Sequence, residues 1–152
     1  MVAATPARSN SRARSLARKL AMQALYQWQL NAQSWTELHQ QALASEDAAR
    51  ADTTYLTELI EKVCAEREGL DAELAALIER PLTSLDPIEH AILLIGVYEL
   101  KARPDIPYRV VINEGVELAR RFGATDGHKF VNAVLDRAAS SLRGTERSSG
   151  SA

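Results

Sequence analysis

Within FGATDGHKFVNAVL, residues 122–135, a carboxylate, an imidazole, an ammonium and an aromatic ring fall within the five positions from Asp126 to Phe130. Three chemistries are open to such a set. His128 is a candidate general base. Free N–H groups at a helix start can cradle a phosphate. A ring beside a cation, Phe130 next to Lys129, suits an unpaired nucleobase. The Asp126 carboxylate disfavours phosphate but can accept a base amino group. A second set lies near the amino terminus. Arg8, Arg12, Arg14, Arg18 and Lys19 all precede the first acidic residue, Glu37, while the chain beyond holds 13 basic and 20 acidic residues. A basic arm on an acidic body points to a polyanion partner. The plain alternatives are a solvated terminus that binds nothing and the acid-free composition of an organelle transit peptide.

Other chemistry finds little support. The sequence has no GxxxxGK[ST] loop, GxGxxG fingerprint, GxSxG elbow or HExxH motif. His39, His90 and His128 sit in three separate helical stretches without paired ligand spacing, so no metal or cofactor is expected. Cys64 is the single cysteine, which excludes an internal disulfide and reads as a buried, inert thiol in a reducing compartment. No apolar run is long enough to cross a membrane. With 152 residues, 46% hydrophobic and 25% charged, the composition is that of one soluble globular domain.

Positioning the candidate groups falls to helices, since apolar periodicity near 3.6 recurs throughout and no strand pattern does. Residues 1–12 read as a flexible basic arm, 13–142 as a helical domain and 143–152 as a flexible tail. A first helix is expected from about Ser15 to Leu30, burying Ala17, Leu20, Ala21, Ala24 and Trp28. Ser34 caps a second through Ala44, followed by a SEDAARAD loop. Asp52 caps a third through Glu68, which Gly69 breaks, and LDAELAALIER forms a fourth that ends before Pro81. In SLDPIEHAILLIGVYEL, Asp86 caps, Pro87 takes the first helical position and Glu89 sits where a capping box places its acid. That helix is apolar nearly all round, so it should be the central buried element. RVVINEGVELARRF follows, stopped by a left-handed Gly123, and a last helix begins near Asp126 and buries Val131, Val134, Leu135, Ala138 and Leu142.

Placed on these helices, Arg14 and Arg18 share a face one turn apart. Lys19 and Tyr26, seven apart, lie on nearly the same side. Arginines beside a tyrosine meet the requirements for single-stranded RNA, namely phosphate pairing and base stacking; the alternative for Tyr26 is a partly buried core residue. On the last helix Phe130 turns about a quarter turn from the buried stripe, with Asp126 and Arg137 flanking it. Packing of Phe130 against another helix is the competing reading, and Asn132 is open as a buried polar tie.

ARKLAMQALYQWQL (Ala17–Leu30), DPIEHAILLIGVYEL (Asp86–Leu100) and above all IPYRVVINEGVELARRFGATDGHKFVNAVLDR (Ile106–Arg137) closely resemble the bacterial NusB family of transcription antitermination factors. The resemblance runs from about Arg12 to Leu142; the stretch from Ser34 to Leu82 is only generically helical. It implies an all-α fold, a single compact seven-helix bundle of two three-helix lobes. It implies a cytoplasmic, non-catalytic factor that binds boxA, a single-stranded element of ribosomal RNA leaders, together with NusE, the ribosomal small-subunit protein. RNA polymerase and other Nus factors complete the implied complex, and a homodimer is compatible with it. The same domain occurs fused to an RNA cytosine methyltransferase, for which this chain leaves no room. By match to the family's motifs, Arg8, Arg12, Arg14, Arg18, Lys19, Tyr26, Asp126, Lys129 and Phe130 are the implied RNA contacts, and Glu89, on an exposed helix start, the implied NusE contact. RARSLARK spreads its cations where the family often has consecutive arginines, which lowers the expected RNA affinity without the partner. The remaining alternatives are a protein-binding helical scaffold and a small helical enzyme using His128 or His90 as base.

Overall fold

The computed structural model describes residues 7–146, with side chains from Ser11 onward. Among the described residues it is all-α, without strands, and divides into two units at Ala65 and Glu66. The first unit holds α1 (Ala7–Leu30), α2 (Trp35–Leu43), a 3₁₀ turn (Glu46–Arg50) and α3 (Thr53–Ala65). The second holds α4 (Arg67–Ala75), a 3₁₀ turn (Leu82–Ser84), α5 (Pro87–Ala102), α6 (Tyr108–Phe122) and α7 (Gly127–Leu142). The tally of seven α-helices agrees with the sequence pattern; several ends do not.

In the first unit α1 packs on α2 and α3. It starts at Ala7, upstream of the expected Ser15, because no glycine or proline interrupts the chain from there on. Ala17, Leu20, Ala21 and Leu25 are buried from α1, and Leu56, Leu59, Ile60 and Val63 from α3. Trp28 is only half-buried. Ser34 caps α2 through the Glu37 N–H as expected. The acidic stretch read as a loop instead forms a 3₁₀ turn, capped where the Asp47 N–H donates to Ser45 Oγ. Asp52 Oδ1 accepts from the Tyr55 N–H at the start of α3. Cys64 is half-buried rather than fully enclosed.

In the second unit, the break expected at Gly69 lies at Glu66 instead, and Gly69 sits inside α4. The cost of a helical glycine, about 1 kcal/mol, is offset by Leu70 and Leu74, both fully buried. The α4 helix ends at Ala75, short of the expected Arg80. Asp86 Oδ1 accepts from the Ile88 and Glu89 N–H groups, and Pro87 opens α5. Every residue from Glu89 to Leu100 is buried, which confirms α5 as the central element. Gly96 of α5 and Gly115 of α6 both face Leu135 of α7. A Cβ on Gly96 would stand 2.6 Å from Leu135 Cδ2, and one on Gly115 2.8 Å from Cδ1. The missing methyls are what let the three helices close around one leucine.

Gly123 is not left-handed; its φ of −85° and ψ of 179° are extended. The left-handed residue is Asp126, with φ 63°. The tail expectation from residue 143 meets a fixed residue at its start. Arg143 is 7% exposed and donates to the carbonyls of Glu99, Leu100, Arg103 and Ile106. It thereby satisfies the end of α5 and the connection to α6. It also pairs with Glu146 at 2.5 Å, and Glu146 Oε2 accepts the Tyr108 N–H at the start of α6. That N–H first, and Arg143 after it, hold the Glu146 carboxyl below its ordinary value near 4.5 against the opposing effect of burial.

Two predictions follow from this packing. Each of Gly96→Ala and Gly115→Ala gains helix propensity of about 1 kcal/mol but overpacks Leu135 by about 1–3 kcal/mol. In the double variant Leu135 has no side to yield to, so urea denaturation should show a loss exceeding the sum of the singles; an additive cycle contradicts this packing. Arg143→Ala should cost about 3 kcal/mol, by taking the Arg143 donor from the Leu100 and Ile106 carbonyls and the second donor from those of Glu99 and Arg103. Because the folded pKa of Glu146 is depressed, its contribution is present above the unfolded value and lost as pH falls. The stability gap between the native chain and Glu146→Gln should therefore narrow below about pH 4, as thermal melts across pH would register.

Candidate nucleic-acid interface

On the first unit two of the basic residues, Arg18 and Lys19, are turned inward. Arg14 and Arg18 do share a face, and both guanidiniums lie over the Tyr55 ring, at 5.4 and 5.6 Å from its centre. Arg18 is 3% exposed, so it serves as a buried cation on an aromatic face rather than an outward phosphate ligand. Arg14 keeps 37% of its side chain exposed and lies 4.0 Å from Asp52 Oδ2. Lys19, expected on an RNA-facing rim, instead pairs with Asp47 at 2.5 Å and is mostly covered. The Lys19 hydrogen bond is the main reason the Asp47 carboxyl sits below its usual range; Arg50 adds to it, and burial opposes it. Arg12 is exposed and Tyr26 half-buried. The backbone of Arg8 belongs to α1, but its side chain lies outside the described residues.

On the second unit the groups around α7 converge. Asp126 occupies the N-cap position yet makes no side-chain cap. Its carboxylate instead faces Lys129 Nζ at 3.4 Å, with both side chains well exposed. Phe130 is half-buried, and the Arg80 guanidinium lies 4.5 Å over its ring. Arg80, Asp126 and Phe130 border an open cleft of about 430 Å³, with Ser84, Asp86 and Thr125 on its walls. Arg80 was missed in the sequence: it is 50 positions from Phe130, at the end of the expected fourth helix, where a cation is ordinary and nothing local marks a partner. Arg137, expected to flank Phe130, donates to the Leu77 carbonyl at 2.7 Å, and Asn132 is exposed rather than a buried tie.

Glu89 departs most from expectation. It is 4% exposed, not an exposed helix start. Nor does it close a capping box, because its Oε2 accepts the Ala124 N–H at 3.2 Å. It lines the same cleft as Arg80, Asp126 and Phe130, with little of its surface exposed there.

The histidines offer no catalytic constellation. His90 is buried and bonded to Asp71 at 2.7 Å; burial pushes that carboxyl up, but the His90 and Arg67 hydrogen bonds hold it below its ordinary value. His39 bonds Thr57 at 2.8 Å. Among the described residues no three His, Cys, Asp or Glu side chains are grouped to hold a metal, and no helix is long and apolar enough to cross a membrane.

The NusB family model matches residues 15–140. The chain belongs to the NusB family. It is 48% identical to the transcription antitermination protein NusB of Chromohalobacter salexigens, across 94% of this chain and 92% of that one. The NusB protein of Pseudomonas putida is 49% identical, covering 91% of this chain and 83% of the relative. Among solved structures, NusB of T. maritima superposes with a TM-score of 0.74 at 26% identity, covering 90% and 92% of the two chains. NusB is a factor and not an enzyme, which closes the reading of His128 or His90 as a base.

The inward and outward cations should separate experimentally. Arg18→Gln should lower stability by about 1–2 kcal/mol, through the lost ring contact and a buried polar replacement. Arg12→Gln should leave the melting temperature unchanged. Equal effects in thermal denaturation would contradict the assignment.

Proposed function

We propose that this chain is a cytoplasmic transcription antitermination factor that binds single-stranded boxA-type RNA together with NusE, within a complex of RNA polymerase and other Nus factors. The observation that carries the reading is the Phe130 ring, stacked by Arg80 beside the exposed Asp126–Lys129 pair. Stacking on Phe130 suits an unpaired base, Lys129 and Arg80 offer positive charge to the backbone, and the Asp126 carboxylate accepts a base amino group. On the first unit Arg12 and Arg14 supply phosphate contacts and Tyr26 a further aromatic face, with Arg8 completing the arm. Arg18 and Lys19 act by holding α1, not by touching RNA. Glu89 is the residue the family resemblance relates to NusE, here nearly enclosed at the start of α5.

Fluorescence anisotropy of a boxA RNA against the chain with NusE tests this reading. Phe130→Ala should weaken binding about tenfold or more, since one base stack is worth about 1–3 kcal/mol. Arg12→Gln should reduce the salt slope by about 0.7, the value for one single-strand phosphate contact, whereas Lys19→Gln should leave the slope unchanged. Equal affinity for a scrambled RNA would overturn the sequence-specific reading in favour of a scaffold with incidental charge.

A further inference from the structure

The α6–α7 connection, residues 123–126, holds Asp126 and sets the start of α7, yet its own side chains do not fix it. Gly123 is extended. Asp126 is left-handed and gives α7 no side-chain cap, and the first turn of α7 contains no acid. A non-glycine residue at positive φ is held there by its surroundings.

The Gly127 N–H donates to the Ala124 carbonyl at 2.9 Å, closing a turn, and one carboxylate lies against that turn. Glu89 reaches over from the first turn of α5 and is 4% exposed. Its Oε2 accepts the Ala124 N–H at 3.2 Å and would lie 3.3 Å from a Cβ on Gly123. On the far side of the connection, a Cβ on Gly127 would stand 2.7 Å from Glu89 Cδ and closer still to Oε2. The acid therefore touches both ends of the connection and lies against the amino end of α7, where a negative charge is favoured by the helix dipole. Gly127 has no positive φ, so the constraint on it is the space taken by the carboxylate.

We propose that Glu89 is a positioning residue, whose buried carboxylate sets the conformation of the α6–α7 connection and thereby presents Asp126, Lys129 and Phe130 to RNA. The second half of this inference rests on the RNA-binding reading; the first half does not. Glu89 needs no contact with RNA to act. It fixes the backbone of Ala124, and the chain carries that constraint two residues on to Asp126 and into the first turn of α7.

The test combines Glu89→Ala, Glu89→Gln and Gly127→Ala, each read by amide chemical shifts, by hydrogen exchange, and by boxA RNA affinity in the presence of NusE. Glu89→Ala should raise exchange at the Ala124 amide at least tenfold, shift the amides of residues 123–130, and weaken RNA binding about fivefold. Glu89→Gln keeps an oxygen acceptor of the same reach and should recover most of the loss. Gly127→Ala leaves Glu89 in the chain but displaces its carboxylate, so it should reproduce the same shifts and loss of affinity even if Glu89→Ala fails to fold. Phe130→Ala should weaken RNA binding less in the Glu89→Ala background than in the native chain. Unchanged exchange at Ala124 in Glu89→Ala, or unchanged shifts in Gly127→Ala, would overturn the positioning role. A moved connection with RNA affinity lost in Phe130→Ala but not in either positioning variant would overturn its link to RNA. If Phe130→Ala itself binds RNA normally, the RNA reading fails while the brace on the connection stands.

Discussion

Leu135 is pinned from two sides by helices that have given up a side chain to reach it. Without a Cβ on Gly96 or Gly115, α5 and α6 can both close on α7, and interiors packed at crystal-like density leave no slack for an extra methyl. The consequences extend along all three helices. With α5 enclosed from Glu89 to Leu100, its first turn meets the start of α7 and its last turn meets the segment after α7. At one end Glu89 holds the Ala124 amide; at the other Arg143 collects the carbonyls of Glu99, Leu100, Arg103 and Ile106. Both charged groups are buried; of the carbonyls on Arg143, those of Glu99 and Arg103 also accept a backbone N–H, whereas the residue four beyond Leu100 is Pro104, which has none to donate. The central helix thus fixes its neighbours by apolar packing in the middle and by charge-assisted hydrogen bonds at its ends.

The cations of the first unit illustrate a division that composition conceals. Five positive charges before Glu37 look like one polyelectrolyte arm. Arg18 is instead enclosed over Tyr55, and Lys19 meets Asp47. A charge already paired within the protein releases no counterion on binding RNA, so it adds little to affinity or to its salt dependence. What distinguishes Arg18 from Arg12 is helical phase: Ala17, Leu20 and Ala21 define the buried face, and Arg18 borders it.

Legibility followed the range of the interaction. The start of α5 was readable because Asp86, Pro87 and the apolar run act within a few residues. The burial of Val131, Val134, Leu135 and Ala138 was readable from period alone. The Arg80–Phe130 stack, the grip of Glu89 on Ala124 and the reach of Arg143 to α5 were not, because each joins residues 35 or more apart in sequence. The left-handed position falls on Asp126 and not on Gly123, the residue intrinsic preference selects; Asp tolerates that region more readily than most non-glycine residues, and Glu89 lies against the same connection. Family resemblance implies RNA contacts for Asp126, Lys129 and Phe130; periodicity turns only Lys129 and Phe130 outward and names no ligand.

The placement of acids around α7 bears on what an RNA can offer there. A bare helix start attracts phosphate through its free N–H groups. Here Glu89 lies against Gly127 and accepts from Ala124, while Asp126 stands exposed in front of the same turn. Two carboxylates disfavour a phosphate at that spot, while positive charge stands nearby, Lys129 beside Asp126 and Arg80 over Phe130. The arrangement suits a nucleotide whose base lies toward the acids and whose phosphates track the cations. Under the proposed RNA-binding function, the acidic balance of the chain beyond the arm gives only weak long-range attraction for RNA, so affinity would rest on short-range stacking at a shaped edge more than on the number of arginines in the arm.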